Sequence, residues 1–269
     1  MERVPEAVAE AAKSGDFSAV RAWLNTVTGD VNRYVINDPY NQKHQLTGQD
    51  DYPLLMWAAA CGIITPEKVE LARDILASGA EVDKTDYVDR TALHWASCGV
   101  GDASPAMVSL LLSAGADVNA PTRHTRTTPL SYWATDPSSD LSTCLRIRAP
   151  LLLVIFERLL RAGARLENSW LERRLASYED PCYERGDTSL ATNASFQEIK
   201  SIAEGVLAAG SYRAYLHEQR RQVLVLRSLS NRGRAATADP VMNFLVRLGD
   251  NGVLWNVLSH WPPPRRSTA

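Results

Sequence analysis

The residues with chemistry to offer are five histidines, four cysteines and one loose group of carboxylates. His44, His94, His124, His217 and His260 are scattered, and none forms the H-E-x-x-H spacing that sets two imidazoles on one helical face around zinc. Cys61, Cys98, Cys144 and Cys182 form no C-x-x-C pair, so their spacing gives neither a thiolate metal site nor a redox couple. Glu172, Glu179 and Asp180 lie near one another, as the carboxylates of an acid–base catalyst would, yet residues so spaced are mostly a helix surface. No G-x-x-x-x-G-K-[ST] phosphate loop occurs. We therefore expect no catalytic residue, no metal site and no cofactor. The alternative is an enzyme whose site is unlike any known motif and lies in the irregular later part of the chain.

Composition points the same way. The 269 residues are 45% hydrophobic and 22% charged, with a formal net charge of -2, which suits a soluble globular protein. That balance gives no overall pull toward nucleic acid or an anionic membrane. Met1 to Glu6 leads into an alanine-rich, charged helix without the apolar core of a signal peptide. The strongly apolar run Leu151 to Phe156 is far short of the roughly 20 residues that cross a bilayer. An intracellular, cytoplasmic monomer is expected, with the nucleus also open and the cysteines reduced.

The element that organises the chain is Thr91-Ala92-Leu93-His94-Trp95-Ala96-Ser97, followed by Leu110-Leu111-Leu112-Ser113-Ala114-Gly115-Ala116-Asp117-Val118-Asn119. Thr91 can cap a short helix whose small Ala96 and Ser97 let a neighbour approach. Val108, Leu111 and Leu112 supply the apolar stripe of a second helix, which Gly115 ends. This pattern resembles the ankyrin repeat, T-P-L-H-x-A-A, then L-L-L, then G-A-D-V-N. The resemblance implies an all-α solenoid of about four to five helix-turn-helix units with finger loops between them. Such a unit buries both faces only when copies stack on it.

In chain order, Ala7 to Leu24 reads as a capping unit that exits at Gly29-Asp30-Val31-Asn32, its first helix carrying Glu2, Arg3, Glu6, Glu10 and Lys13 outward. Arg33 to Asp51 is a polar stretch sited where a finger belongs, with Tyr40 a candidate contact. Pro53 to Gly62 and the helix up to Leu76 make a second unit, the stretch described above a third. The fourth opens on Thr128-Pro129-Leu130-Ser131-Tyr132, swells into a loop over Asp136 to Pro150, and continues as a helix over Leu151 to Leu160. A weaker fifth runs through Trp170 to Leu175 and Ile199 to Leu207. Exit glycines at 79, 115, 163 and 210 stand 36, 48 and 47 apart, against about 33 for ankyrin repeats, so later units carry inserted turns. The array is thus read as residues 1–210, strong to about 167. A C-terminal helical segment follows over 211–261, and a disordered tail over 262–269.

The resemblance implies that recognition uses finger tips and the solvent side of the first helices. This gives Tyr87, Val88 and Arg90 in one finger and Arg123, His124, Thr125, Arg126 and Thr127 in the next, with Ala60, Cys61, Cys98 and Gly99 on the helices. Arg123, His124 and Arg126 make the second finger basic, which suggests a protein partner with an acidic segment. Trp57, Trp95 and Tyr132 share one position in three units and should form an aromatic ladder, read either as packing or as a binding stripe. His94 is given a local hydrogen-bonding role.

At the C-terminal end, Tyr212 to Arg232 reads as one amphipathic helix with arginines on one face. Nucleic acid is not expected there, because no aromatic residues interleave with those arginines. Leu248-Gly249-Asp250-Asn251 before Val253 to Trp261 resembles a degenerate F-box start. In layout the segment also resembles a suppressor-of-cytokine-signalling box, with Leu226 to Ser230 as its elongin-binding helix. These resemblances imply ubiquitin-ligase components as partners, docking on Leu226, Leu229, Leu248, Trp255 and Leu258; otherwise the segment is a helical cap.

Overall fold

Short helices bounded by a capping residue and a glycine recur along the chain, and they come in pairs. The computed structural model describes residues 2–27, 30–37, 51–60, 63–98, 101–132, 141–166, 194–232, 238 and 240–247. It is mostly helical and divides between Ile199 and Lys200 into two units. In the first unit the pairs are α1 (Glu6–Ser14) with α2 (Phe17–Leu24), α3 (Leu54–Ala60) with α4 (Pro66–Ala77), and α5 (Ala92–Ser97) with α6 (Ser104–Ser113). Then come α7 (Pro129–Tyr132) and α8 (Leu141–Arg161). The first helices α3, α5 and α7 pack in one row, the second helices α2, α4, α6 and α8 in another.

Local sequence explains each pair. Thr65 begins α4 by accepting from Lys68 N at 3.4 Å, and Pro66 occupies the first turn, where its missing N–H is harmless. Val69, Leu71, Ala72 and Ile75 then bury the inner face of α4, while every residue of α3 from Leu54 to Ala59 is buried. In α5 the fully buried Ala96 and Ser97 are small enough for α3 and α7 to pack on either side. The rows are tied by side chains: Arg21 Nε meets Asp74 Oδ2 at 2.6 Å between α2 and α4. Arg158 of α8 donates to the Pro105 carbonyl and the Ser109 hydroxyl of α6.

The exits from successive pairs interlock through one repeated side-chain position. Gly79, Gly115 and Gly163 end their helices at φ 89°, 91° and 95°, a region that a Cβ disfavours. Asn32 Oδ1 accepts from Glu81 N at 2.7 Å while its Nδ2 donates to the Gly79 carbonyl at 3.2 Å. Asn119 does the same two pairs later, accepting from Arg165 N at 2.8 Å and donating to the Gly163 carbonyl at 3.1 Å. Between them stands Asp83, which accepts from Asp117 N at 3.1 Å and has no proton to donate. Burial raises the Asp83 pKa, the Asp117 N–H opposes that, and the Asp117 charge adds to it.

Two features depart from the sequence reading. Residues 33–51 were expected as a polar finger, and their ends form strands instead. β1 (Glu2–Arg3) pairs in parallel with β2 (Tyr34–Asn37), which pairs antiparallel with β3 (Asp51–Pro53) in the register Val35↔Pro53, Ile36↔Tyr52 and Asn37↔Asp51. The run Tyr34-Val35-Ile36 carries the β-branched and aromatic residues that favour strands, and Ile36 and Tyr52 are buried beneath the sheet. Glu2 and Arg3 accordingly belong to a strand and not to the first helix. The loop expected up to Pro150 is helical from Leu141, with Pro150 inside α8, where the imino nitrogen removes one intrahelical hydrogen bond.

The chain divides within α9 (Ala194–Ala209), and the second unit continues as α10 (Tyr212–Asn231) and α11 (Pro240–Arg247). Ser211 caps α10 by accepting from Ala214 N at 3.1 Å. Tyr215 lies so close to Gly205 that a Cβ there would collide with its ring. Tyr212, Gln219 and Val223 form the buried face of α10, with Leu216, Leu226 and Leu229 half-buried. Residues 170–175 of the expected fifth unit, residues 248–261 and the tail lie outside the described residues.

Asp83→Asn supplies the donor that its two counterparts have and removes a partly desolvated charge. Thermal unfolding should register a gain of about 1 kcal/mol, or roughly 2–4 °C; an unchanged or lower midpoint would refute this account of the interlock. His94 gives a pH test. Its ring is fully buried, and burial pushes its pKa down to about 4, with the bond to the Thr127 carbonyl opposing. Below its ordinary value the unfolded chain takes up a proton that the folded ring refuses. Stability should therefore fall as pH drops from 6.5 toward 4, by at most about 3 kcal/mol, and be unaffected by this group above 6.5. His94→Gln keeps an acceptor for Thr91 N–H and cannot titrate. It should be less stable at pH 7 and show a shallower acid slope than the parent in matched melts.

Candidate interaction surface

Each finger is closed by one side chain that folds the backbone around itself. In the first, Asp86 is a wholly buried carboxylate: Oδ1 accepts from Val88 N at 3.0 Å and Arg90 N at 2.9 Å, and Oδ2 from Arg90 Nε at 2.6 Å. The main chain closes the same loop, Asp86 N donating to the Arg90 carbonyl at 3.0 Å. The tip residue Asp89 adopts φ 63°, a left-handed conformation that aspartate tolerates better than most. In the second finger Thr122 plays the closing part. Its hydroxyl accepts from Thr127 N at 3.0 Å and its N–H donates to the Thr127 carbonyl at 3.0 Å, with Arg126 left-handed at φ 50°. The Thr122, Thr125 and Thr127 hydroxyls form a chain at 2.9 and 2.6 Å.

The two fingers are joined to each other. Arg123 N donates to the Val88 carbonyl at 3.0 Å, and its guanidinium grips Asp89 with Nε at 3.1 Å and Nη2 at 3.0 Å. That hydrogen bond and the Asp89 charge raise the Arg123 pKa. The expected basic cluster of Arg123, His124 and Arg126 thus has one of its charges committed to Asp89. His124, Thr125 and Arg126 remain exposed, as does Tyr87 of the first finger at 40%, with Val88 and Thr127 half-buried.

Behind the fingers stands the aromatic row. Of the expected ladder Trp57, Trp95 and Tyr132, the rung between Trp95 and Tyr132 is an edge-on contact at 5.7 Å, and Tyr52 of β3 meets Trp95 at 5.7 Å. Trp57 is buried with Phe17 at 6.5 Å and the Lys68 ammonium 5.8 Å over its ring. Arg90 links fingers to row: its guanidinium lies 4.4 Å over Trp95 and 5.8 Å over Tyr87, and Nη1 donates to Tyr132 Oη at 3.1 Å. Burial disfavours its charge, but Tyr132 and Asp86 outweigh that and hold the group above its ordinary pKa.

His94 sits beneath, neutral. Its Nδ1 accepts from Thr91 N at 3.0 Å, so the proton is on Nε2, which donates to the Thr127 carbonyl at 3.1 Å and anchors the second finger to α5. In α7 the matching Ser131 hydroxyl accepts from Thr128 N at 2.8 Å, a shorter substitute for the same capping bond.

Asp86, Asp89 and Tyr52 are residues that the motif reading passed over. Asp86 and Arg90 stand four apart, a spacing usually taken for a helical ion pair, whereas here it spans a loop. Tyr40, Cys61 and Gly99 lie outside the described residues, as do Leu248, Trp255 and Leu258; Ala60 and Cys98 are half-buried. Among the described residues no three histidine, cysteine or acidic side chains cluster as metal ligands would. No helix among them is long and apolar enough to cross a membrane.

Comparison with curated proteins gives no match. No comparison supports the F-box or suppressor-of-cytokine-signalling resemblance of the C-terminal segment. Residues 89–123, which carry α5, α6 and the joined finger tips, match the family model of the ankyrin repeat. Ankyrin repeats are non-enzymatic interaction modules that generally bind protein partners, and this stretch is similar to one of them.

Proposed function

We propose that the chain is a protein-binding scaffold, an array of stacked ankyrin-type units that acts as an intracellular monomer and holds a partner against its fingers and first helices. The observation that carries this reading is the coupling of two successive fingers through Arg123, Asp89 and the Val88 carbonyl. Loops fixed in this way lose little entropy on binding, so their exposed side chains can contribute affinity instead of paying for order. Tyr87 offers an aromatic anchor, and His124, Thr125 and Arg126 offer polar contacts beside it. Trp57 and Trp95 serve this surface as packing from below, with Tyr132 as the hydrogen-bond partner of Arg90.

The test is affinity purification with mass spectrometry, comparing the parent with Tyr87→Ser/Arg126→Glu. Both side chains are exposed, so the melting temperature should hold. Partners retained by the parent should be lost, or their affinity reduced about 30-fold or more, as for removal of a binding hot spot. A variant that melts as the parent does and keeps the same partners at the same strength would refute this surface.

A further inference from the structure

We propose that Arg90 receives an aspartate or glutamate side chain of the partner segment; this rests on the protein-binding reading above. A guanidinium carries five N–H donors in one plane. Nε–H is given to Asp86 and one Nη1 N–H to Tyr132, and among the described residues no other acceptor is bound. Three donors are left on a side chain that is 15% exposed, so the group is fixed without being used up.

Its position is set by Trp95, with the guanidinium carbon 4.4 Å over the ring, and by the hydrogen bonds to Asp86 and Tyr132. A fork held in this way gives up little rotamer freedom when a carboxylate arrives, which is the usual cost of an arginine contact. Tyr87, exposed on the same finger and 5.8 Å from the guanidinium, provides apolar area beside the incoming side chain.

Charge selects the class of ligand. Asp86 already lies 2.6 Å from Nε, and a dianion such as a phosphate group would be repelled by it more strongly than a monoanionic carboxylate. On the adjacent finger Arg123 is taken by Asp89, while Arg126 and His124 stay exposed and favour an acidic segment. Arg90, more than Arg123, is therefore the residue that reads the acid.

The experiment selects peptides of about a dozen residues from a display library on the full chain. Each enriched peptide is resynthesised with its Asp or Glu residues changed singly to Asn or Gln, and binding to the parent and to Arg90→Lys is measured by calorimetry. One carboxylate should matter about tenfold on the parent and much less on Arg90→Lys, which keeps the charge and loses the fork. Binding that survives every amide substitution, or depends on a carboxylate equally in both proteins, overturns the inference and leaves the binding reading standing. A library that yields no binder overturns both. Should Arg90→Lys melt below the assay temperature, the Arg90 side-chain N–H resonances of the parent replace it. They should shift with the acidic peptide and not with its amide form, and the absence of a shift overturns the inference.

Discussion

The finger surface depends on one buried carboxylate. Asp86 has no exposed side-chain area, and its two oxygens are met by two backbone N–H groups and the Arg90 guanidinium. Removing one member of such a pair costs about 3–5 kcal/mol, because the other charge stays buried and uncompensated. The consequence is geometric as well as energetic. With Asp86 held by Val88 N, Arg90 N and Arg90 Nε, the backbone turns through Asp89 at the tip and brings Arg90 back onto Trp95. Arg123 of the next finger then has a partner to grip, and the second finger takes its place from the first.

The same surface is held from beneath by bonds that cross from one helix pair to the next. His94 spans from α5 to the Thr127 carbonyl, and Asn32, Asp83 and Asn119 link successive exits. Each of these bonds reaches only to the next pair, the span being 33 residues for His94, 34 for Asp83, 49 for Asn32 and 46 for Asn119. Each pair is therefore stabilised mainly by its neighbours, which is how a linear stack distributes its stability. A weak step, such as Asp83 where its counterparts are asparagine, lowers the coupling at that one junction and leaves the others intact.

Much of this was legible because the signals are local. Thr91 with His94, Pro66 after Thr65, and glycines at 79, 115 and 163 each fix a helix end within a few residues, and the helices fall where those signals place them. The misreadings come where a nonlocal partner decided the outcome. Tyr34 to Asn37 is a strand because Glu2, Arg3 and residues 51–53 complete it. Pro150 sits inside α8 because the apolar face of Leu152, Ile155, Phe156 and Leu159 is buried, and that burial outweighs one lost hydrogen bond. At the fingers, the types and exposure of the residues were legible and their pairing was not. Arginine 123 looks free in sequence, and only the fold brings Asp89, 34 residues earlier, within 3.1 Å of it.

That pairing changes what the surface can discriminate. If all the arginines were free, the fingers would attract acidic segments in general, with little orientation and a strong dependence on salt. With Arg123 bound to Asp89 and Arg90 bound to Asp86, most of the charge is internal. What is left is direction: a few N–H groups held in place beside an aromatic ring. A surface of that kind favours ligands by geometry more than by net charge, since a misplaced carboxylate meets the exposed Asp89 instead of an N–H. On the proposed reading, the acidic residues that offset the charge of a basic finger are the ones that would give it selectivity.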